Sequence, residues 1–116
     1  MPSILIASTD EILREDLKQI LSPLFPLIIV EDADQCLAAF RQAAPISLAL
    51  VGTSLDDPDT PLFEAIHKLA PTITVIAMSD AGDEEDGVDA VRRGATGYIM
   101  PPLRKDDILA LVGKAS

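Results

Sequence analysis

The chain contains no tryptophan, and among its 116 residues there are only one tyrosine, one cysteine and one histidine. The shortage of aromatic residues disfavours a flavin site, because such pockets are lined largely by apolar and aromatic side chains. The single cysteine, Cys36, cannot form an internal disulfide, and its apolar neighbours favour a buried structural thiol over a nucleophile. The only histidine, His67, lies within a helical pattern, which gives no support to a hydrolytic site.

Basic residues and long hydrophobic runs are also in short supply. Nine lysines and arginines stand against nineteen acids, which gives a formal net charge of −10. This charge repels nucleic acid and anionic lipid, so we expect direct binding to neither. The apolar runs are four to seven residues long, whereas a membrane span needs roughly 18. Because "MPSILIASTDE" also lacks the basic start of a secretory signal, we expect a cytoplasmic protein.

What the chain does have is a set of short apolar runs with strand character. Each is continuous rather than alternating, which is typical of strands covered on both faces of a sheet. Segments with helical period separate the runs, and parallel strands need such crossovers. We therefore predict a single α/β domain over residues 1–116, a flavodoxin-like (βα)5 three-layer sandwich with a five-stranded parallel sheet in the order 2-1-3-4-5. The runs occupy residues 4–7, 27–30, 48–51, 73–78 and 97–100.

Two of the helical segments carry clear boundary signals. Thr60 followed by Pro61 predicts an N-cap and first-turn pair for the third helix. The fourth helix begins in an acidic run that has six acids in residues 80–89. Acids are favoured at helix N-termini, so we interpret the run as a solvated loop leading into a helix rather than a cation site. The apolar positions of this helix are Val88 and Val91.

The residues that follow the predicted strands define where a ligand would bind. Ligand sites of open parallel sheets lie beyond the carboxyl ends of the strands, where the strand order reverses. The set contains one central carboxylate, Asp10, and no lysine, histidine or cysteine, so it offers little that is reactive. These residues are 8–10, 52–54, 79–82 and 100–102.

Two stretches resemble the response-regulator receiver domains of two-component signal transduction. "ILIASTDEILREDLKQIL" is similar to that family's first strand and helix, and "GATGYIMPPLRKDDILALV" is similar to its last strand and helix. The resemblance covers essentially the whole chain. It implies a site in which an acidic pair after the first strand holds a divalent metal, an aspartate at the end of the third strand accepts a phosphoryl group, and a lysine follows the fifth strand.

The residues at the implied positions depart from that pattern. Loss of the carboxylates and the ammonium together would remove several kcal/mol of transition-state stabilisation. The sequence therefore predicts a degenerate, phosphorylation-independent pseudo-receiver that is not an enzyme and uses no cofactor. The acidic pair corresponds to Ser8 and Thr9, with Asp10 following, the acceptor to Gly52 or, one residue earlier, Val51, and the lysine to Pro101.

Two positions do match the family pattern. Ser79 follows the fourth strand, where the resemblance implies a serine or threonine that responds to the phosphoryl group, and Tyr98 falls at the implied aromatic switch position. A strand-end cap and a half-buried core aromatic are the simpler interpretations of the same residues.

We expect the face formed by the fourth helix, fifth strand and fifth helix to bind another protein. Its residues combine basic and apolar character on an acidic protein, which suits an acidic partner or a second copy in a homodimer. Helix-end charge complementarity and core packing would produce the same residues. The predicted interaction residues are Arg92, Arg93, Tyr98, Leu103, Arg104 and Lys105.

Two alternatives remain open. Asp10 with Asp56 or Asp57 could form a displaced acidic site that is phosphorylated or binds a metal, although acids before a helix are also ordinary turn residues. A small-ligand module of the flavodoxin kind could use the hydroxyls of Thr53 and Ser54 together with those that follow the first strand.

Overall fold

The computed structural model describes residues 2–42, 45–56, 59, 61–79, 84–100 and 104–115. Within them, five strands form one parallel sheet in the order β2-β1-β3-β4-β5. The predicted flavodoxin-like fold and strand order are therefore confirmed. The strands are β1 (Ser3–Ala7), β2 (Leu27–Val30), β3 (Ile46–Gly52), β4 (Thr74–Met78) and β5 (Gly97–Ile99).

A helix lies on each connection of the sheet and after its last strand. No helix in the described part of the chain is both long enough and apolar enough to cross a membrane. The helices are α1 (Glu11–Leu21), α2 (Ala33–Arg41), α3 (Leu62–Leu69), α4 (Glu84–Arg92) and α5 (Lys105–Ala115).

Helices α1 and α5 cover one face of the sheet. The predicted stripe of α1, Leu13, Leu17 and Leu21, is buried, and Ile108 and Val112 of α5 join the same core cluster. Isoleucine and leucine side chains of the central strands complete this layer, because successive strand residues point to opposite faces of the sheet.

Helices α2, α3 and α4 cover the opposite face, where each of the three central strands presents one alanine among larger side chains. Ala7, Ala49 and Ala77 of the three central strands lie in this second cluster, with Phe63 and Ile66 of α3 packed over them. Small strand residues leave room for large helix side chains at native packing density. The two clusters make the molecule the predicted three-layer sandwich.

Helix α3 begins in a different way from the sequence prediction. Pro61 occupies the N-cap position rather than the first turn, and it supplies no side-chain cap. Thr60, the predicted cap, lies outside the described residues. The amides of Leu62 and Phe63 donate instead to the Asp56 carboxylate at 2.7 and 3.3 Å. An acid several residues upstream therefore satisfies the first N–H groups of the helix.

The residues on the inward face of α4 also differ from the predicted ones. Gly87 and Ala90 are buried, whereas Val88 and Val91 are 36% and 39% exposed. A Cβ atom on Gly87 would lie only 2.2 Å from Cδ2 of Tyr98. The helix packs so closely on β5 that only its smallest residues fit inside, so the valines face outward.

Candidate functional site

The end of β1 carries the predicted residues Ser8, Thr9 and Asp10. Ser8 is buried, and its hydroxyl accepts a hydrogen bond from the Asp10 amide at 3.0 Å. The Asp10 carboxylate accepts from the amides of Ile12 and Leu13 at 2.9 and 3.2 Å, which makes it the N-cap of α1. The central carboxylate of the sequence prediction therefore serves to start a helix.

Hydroxyl groups from β1 and β3 meet beside this cap. The hydroxyl oxygens of Thr9 and Ser54 are 3.4 Å apart. Arg14 donates from Nη1 to the Ser8 carbonyl at 2.6 Å, and its Nη2 lies 3.6 Å from the Glu31 carboxylate that follows β2. The end of β1 is thus bordered by hydroxyls and an arginine.

The end of β3 presents no side chain at its last residue, Gly52. A single 3₁₀ turn, Thr53–Leu55, follows and leads into Asp56, whose side chain is 1% exposed. Its Oδ1 accepts the two amides of α3, and its Oδ2 accepts from Arg93 Nη1 at 2.8 Å. Both oxygens are thereby used inside the fold. Asp57, the other acid of the predicted displaced site, lies outside the described residues.

One further acid, Asp86, lies at the ends of β3 and β4. Its neighbours in sequence include several other acids, so the sequence around it does not single it out. Asp86, in the first turn of α4, accepts through Oδ2 from the Thr53 hydroxyl and, at 3.1 Å, from the Ser79 hydroxyl. Ser79 is fully buried, and Thr53 is nearly so. Because Gly52 pairs with Met78 in the sheet, the residues that follow them lie side by side and can share one carboxylate oxygen.

The helical period holds a signal for the position of Asp86. It precedes Ala90 by four residues and Arg93 by seven, so the three lie on one face of α4. Ala90 is buried, and Arg93 bonds to the buried Asp56. Which acid of the run faces the sheet is decided by the rotation of the helix, and that rotation could have been inferred from the small residues rather than the valines.

Tyr98 lies against the same helix. Its ring covers Gly87, its hydroxyl is 3.5 Å from Oε1 of Glu84, and it packs against the core cluster under α2, α3 and α4. The half-buried core position agrees with the simpler interpretation of this residue. It also puts Tyr98 in direct contact with the helix that carries Asp86.

The predicted interaction residues that the structure describes are exposed, apart from the half-buried Tyr98. The Arg92 side chain is 78% exposed and lies 3.8 Å from Asp89 of the preceding turn. Arg104 and Lys105 are exposed at the start of α5. Arg93 is half exposed, and its guanidinium also bonds to the buried carboxylate of Asp56.

Of the remaining predicted residues, two lie outside the part of the chain that the structure describes, and Cys36 is buried. Leu103 and Pro101 fall outside the described residues. Cys36 is fully buried, and this burial raises the pKa of its thiol to about 12, which agrees with an inert structural cysteine. Across the described ranges, no group of three or more histidine, cysteine or acidic residues is placed to hold a metal ion.

The sheet order and the two helix layers define a flavodoxin-like α/β domain with polar side chains at the ends of β1, β3 and β4. No family model matches the chain. The nitrate/nitrite response regulator protein NarL of Escherichia coli K12 is 26% identical over 117 residues, which cover 98% of this chain and 54% of NarL. The chain thus spans about half the length of this curated relative.

Solved structures extend the comparison over nearly complete domains. A CheY-like response regulator receiver domain protein from Methanospirillum hungatei JF-1 is 30% identical with a TM-score of 0.83, covering 98% of this chain and 92% of that one. The receiver domain of NtrX from Brucella abortus is 30% identical with a TM-score of 0.85, covering 97% of this chain and 96% of that one. The chain belongs to the response-regulator receiver domain family.

Proposed function

We propose that this chain is a phosphorylation-independent receiver, a cytoplasmic, non-enzymatic signalling domain that acts by binding a protein and needs no cofactor. The observation that carries the proposal is the use of the carboxylates near the strand ends. Asp10, Asp56 and Asp86 each accept hydrogen bonds from groups of the protein itself. At Asp56, where both oxygens accept hydrogen bonds, metal binding or phosphoryl acceptance would require an oxygen to leave its donors, and at Asp10 and Asp86 it would compete with the donors unless it used the second oxygen alone.

The residue types at the positions implied by the family support the same proposal. Ser8, Thr9 and Gly52 supply no carboxylate, and Pro101 supplies no ammonium. Phosphoryl transfer depends on charge stabilisation by such groups, and each missing group raises the barrier.

The exposed side of α4 supports a docking role. Val88 and Val91 are exposed beside Arg92, and a shallow groove of about 400 Å³ runs along this helix. The start of α5 adds the bases Arg104 and Lys105. The acids of this groove lie on the face that the sequence predicts to be basic, so the face carries both signs of charge. Such a face suits a second copy of the chain or a partner of mixed charge. The groove is lined by Glu84, Glu85, Val88, Asp89 and Arg92.

The phosphorylation part of the proposal is tested with magnesium and acetyl phosphate. We expect the intact mass of the protein to stay unchanged, and ¹H–¹⁵N NMR signals of Asp10, Gly52 and Ser79 not to shift with magnesium and beryllofluoride. A receiver domain with its acidic site intact, treated in parallel, controls for the reagents. A phosphoryl adduct, or saturable shifts that spread to Tyr98, would show that a displaced acid accepts the group and would refute the proposal.

The docking face is tested by sedimentation analysis of self-association. Val91→Asp places a charge on the exposed side of α4, and Ile12→Asp is the matched control, because Ile12 is 75% exposed on α1. We expect the wild-type chain to self-associate, Val91→Asp to weaken this self-association and Ile12→Asp to leave it unchanged. A wild-type chain that stays monomeric at every concentration would exclude the second copy and leave a different protein as the partner.

A further inference from the structure

The strongest unexplained feature is the single carboxylate oxygen that joins three elements. Oδ2 of Asp86 accepts from the hydroxyls of Thr53 and Ser79, which follow β3 and β4. Asp86 itself belongs to α4. An exposed acid near a helix N-terminus would gain only a weak interaction with the helix dipole, whereas this one also accepts two hydrogen bonds in a partly buried place.

The two donors directly follow strands of the sheet. Ser79 is fully buried, and its amide donates to the Ile99 carbonyl at 3.0 Å. Thr53 is 7% exposed and begins the 3₁₀ turn directly after β3. Hydroxyls held in this way offer an anion two converging donors, and Asp86 supplies that anion from within the chain.

The contact and the rotation of α4 occur together in the structure. With Asp86 turned to the strand ends, Gly87 and Ala90 face the sheet, and Val88 and Val91 face outward. The ring of Tyr98 then lies on Gly87 at a distance that leaves no room for a Cβ atom. A shift of Asp86 away from the two hydroxyls would therefore displace Tyr98 and the exposed valines together.

We propose that Asp86 is a built-in anionic ligand of the Thr53 and Ser79 hydroxyls, and that it fixes α4 and Tyr98 in one arrangement without any covalent modification. Asp86 acts as a positioning residue in this account. The regulatory meaning of the arrangement, a docking face that is always presented, rests on the proposed function. The contact of Asp86 with the two hydroxyls, and its effect on α4, do not depend on the proposed function.

Hydrogen exchange of the full chain, followed by mass spectrometry and NMR, tests the proposal. We expect Asp86→Ala to speed the exchange of α4 amides at least tenfold, a marker of local opening, and to shift the ring signals of Tyr98. Asp89→Ala is the matched control, because it removes the same charge from the same helix and its carboxylate contacts only the exposed Arg92 among the ion pairs of the described residues. Equal exchange in the two variants would overturn the proposal.

Chemical rescue gives a second readout that loss of stability alone would not move. Sodium formate should restore α4 protection in Asp86→Ala, because the small carboxylate can bind the two hydroxyls, whereas sodium chloride at the same ionic strength should not. Equal effects of the two salts would show that no anion site exists between the hydroxyls and would overturn the proposal.

If Asp86→Ala does not fold, the donors can be removed one at a time. Thr53→Val and Ser79→Ala should each speed α4 exchange, and the double variant should exceed either one. Unchanged exchange in all three would overturn the proposal. Phosphoryl adduct formation on the wild-type chain would instead refute the proposed function and leave these comparisons intact, so the two failures can be told apart.

Discussion

Gly87 and Tyr98 show how one missing side chain can position another. The Tyr98 ring occupies the volume in which a Cβ atom of residue 87 would stand. Because protein interiors are packed to crystal-like density, neither residue can change without the other. Gly87 thus sets the distance between α4 and β5, and the tyrosine fills the remaining space.

We expect Gly87→Ala to lower the free energy of unfolding by about 1–3 kcal/mol, because the added methyl group forces the Tyr98 ring to move. Gly113→Ala in α5 is the control, since no atom of the described residues, its chain neighbours and its own helix backbone apart, lies within 4 Å of the site of its Cβ atom. There the helix propensity of alanine should add up to about 1 kcal/mol of stability. Urea unfolding measures both variants, and equal signs for the two changes would contradict the packing argument.

Cys36 should make stability depend on alkaline pH. Its thiol has a pKa of about 12 in the folded protein, against the ordinary value of 9.0. The unfolded chain therefore releases a proton above pH 9 that the folded chain retains, so the free energy of unfolding should fall as the pH rises from about 9 towards 12. Urea unfolding at several alkaline pH values should show a steeper fall for the wild type than for Cys36→Ala. If the free energy of unfolding fell equally steeply with pH in the two proteins, the thiol would be ruled out as the cause.

Helices α3 and α4 are joined by one ion pair that also caps a helix. Asp56 accepts the first amides of α3 with one oxygen and the Arg93 guanidinium with the other. The acid is buried and the arginine is half exposed. The neighbouring Arg92 makes only a loose surface contact with Asp89, although the two arginines are adjacent in sequence.

Replacing the two arginines separately tests this difference. We expect Arg93→Gln to cost about 1–3 kcal/mol of stability, because a buried carboxylate loses its charged donor. Arg92→Gln should change stability by less than about 0.5 kcal/mol, as for most exposed pairs. Thermal and urea unfolding of both variants provide the measurement. A similar cost for both would mean that general charge, rather than the Asp56 contact, stabilises the end of α4.

The strands could be predicted from the apolar runs of the sequence, whereas the orientation of α4 could not be predicted from hydrophobicity alone. Continuous apolar runs leave one interpretation, and β2 coincides with its predicted run, Leu27–Val30. In α4 the valines suggested the inner face, but the close approach to β5 admits only Gly87 and Ala90. Hydrophobicity predicts which residues prefer burial, and it carries no information on how much space is present.

The same limit explains which site residues were missed. The apolar runs predict where the strands end, and the family resemblance then implies roles for Ser79 and Tyr98. Asp86 was not predicted, because it stands among several acids of the same charge and differs from them only in its place on the helix. The inward role of Arg93 follows from the same rotation.

The charge of the domain acts on all of its elements together. A formal charge of −10 on 116 residues makes the folded state repel itself, and dissolved salt screens this repulsion. We expect the Tm to rise by a few degrees when NaCl increases from about 20 mM to about 500 mM, since the screening length then falls to a few ångströms. KCl at equal ionic strength should give the same rise. A Tm that falls with either salt would indicate that the internal ion pairs outweigh the repulsion.

The contact made by Asp86 also restricts which substitutions this site can accept. A lineage that gained an aspartate at Gly52 would add a second carboxylate next to Thr53, whose hydroxyl already binds Asp86. Neighbouring carboxylates disfavour each other's ionised form unless a cation separates them. Gly52→Asp alone would therefore be penalised while Asp86 is present, so replacement of Asp86 would have to come before a carboxylate could be added at this strand end.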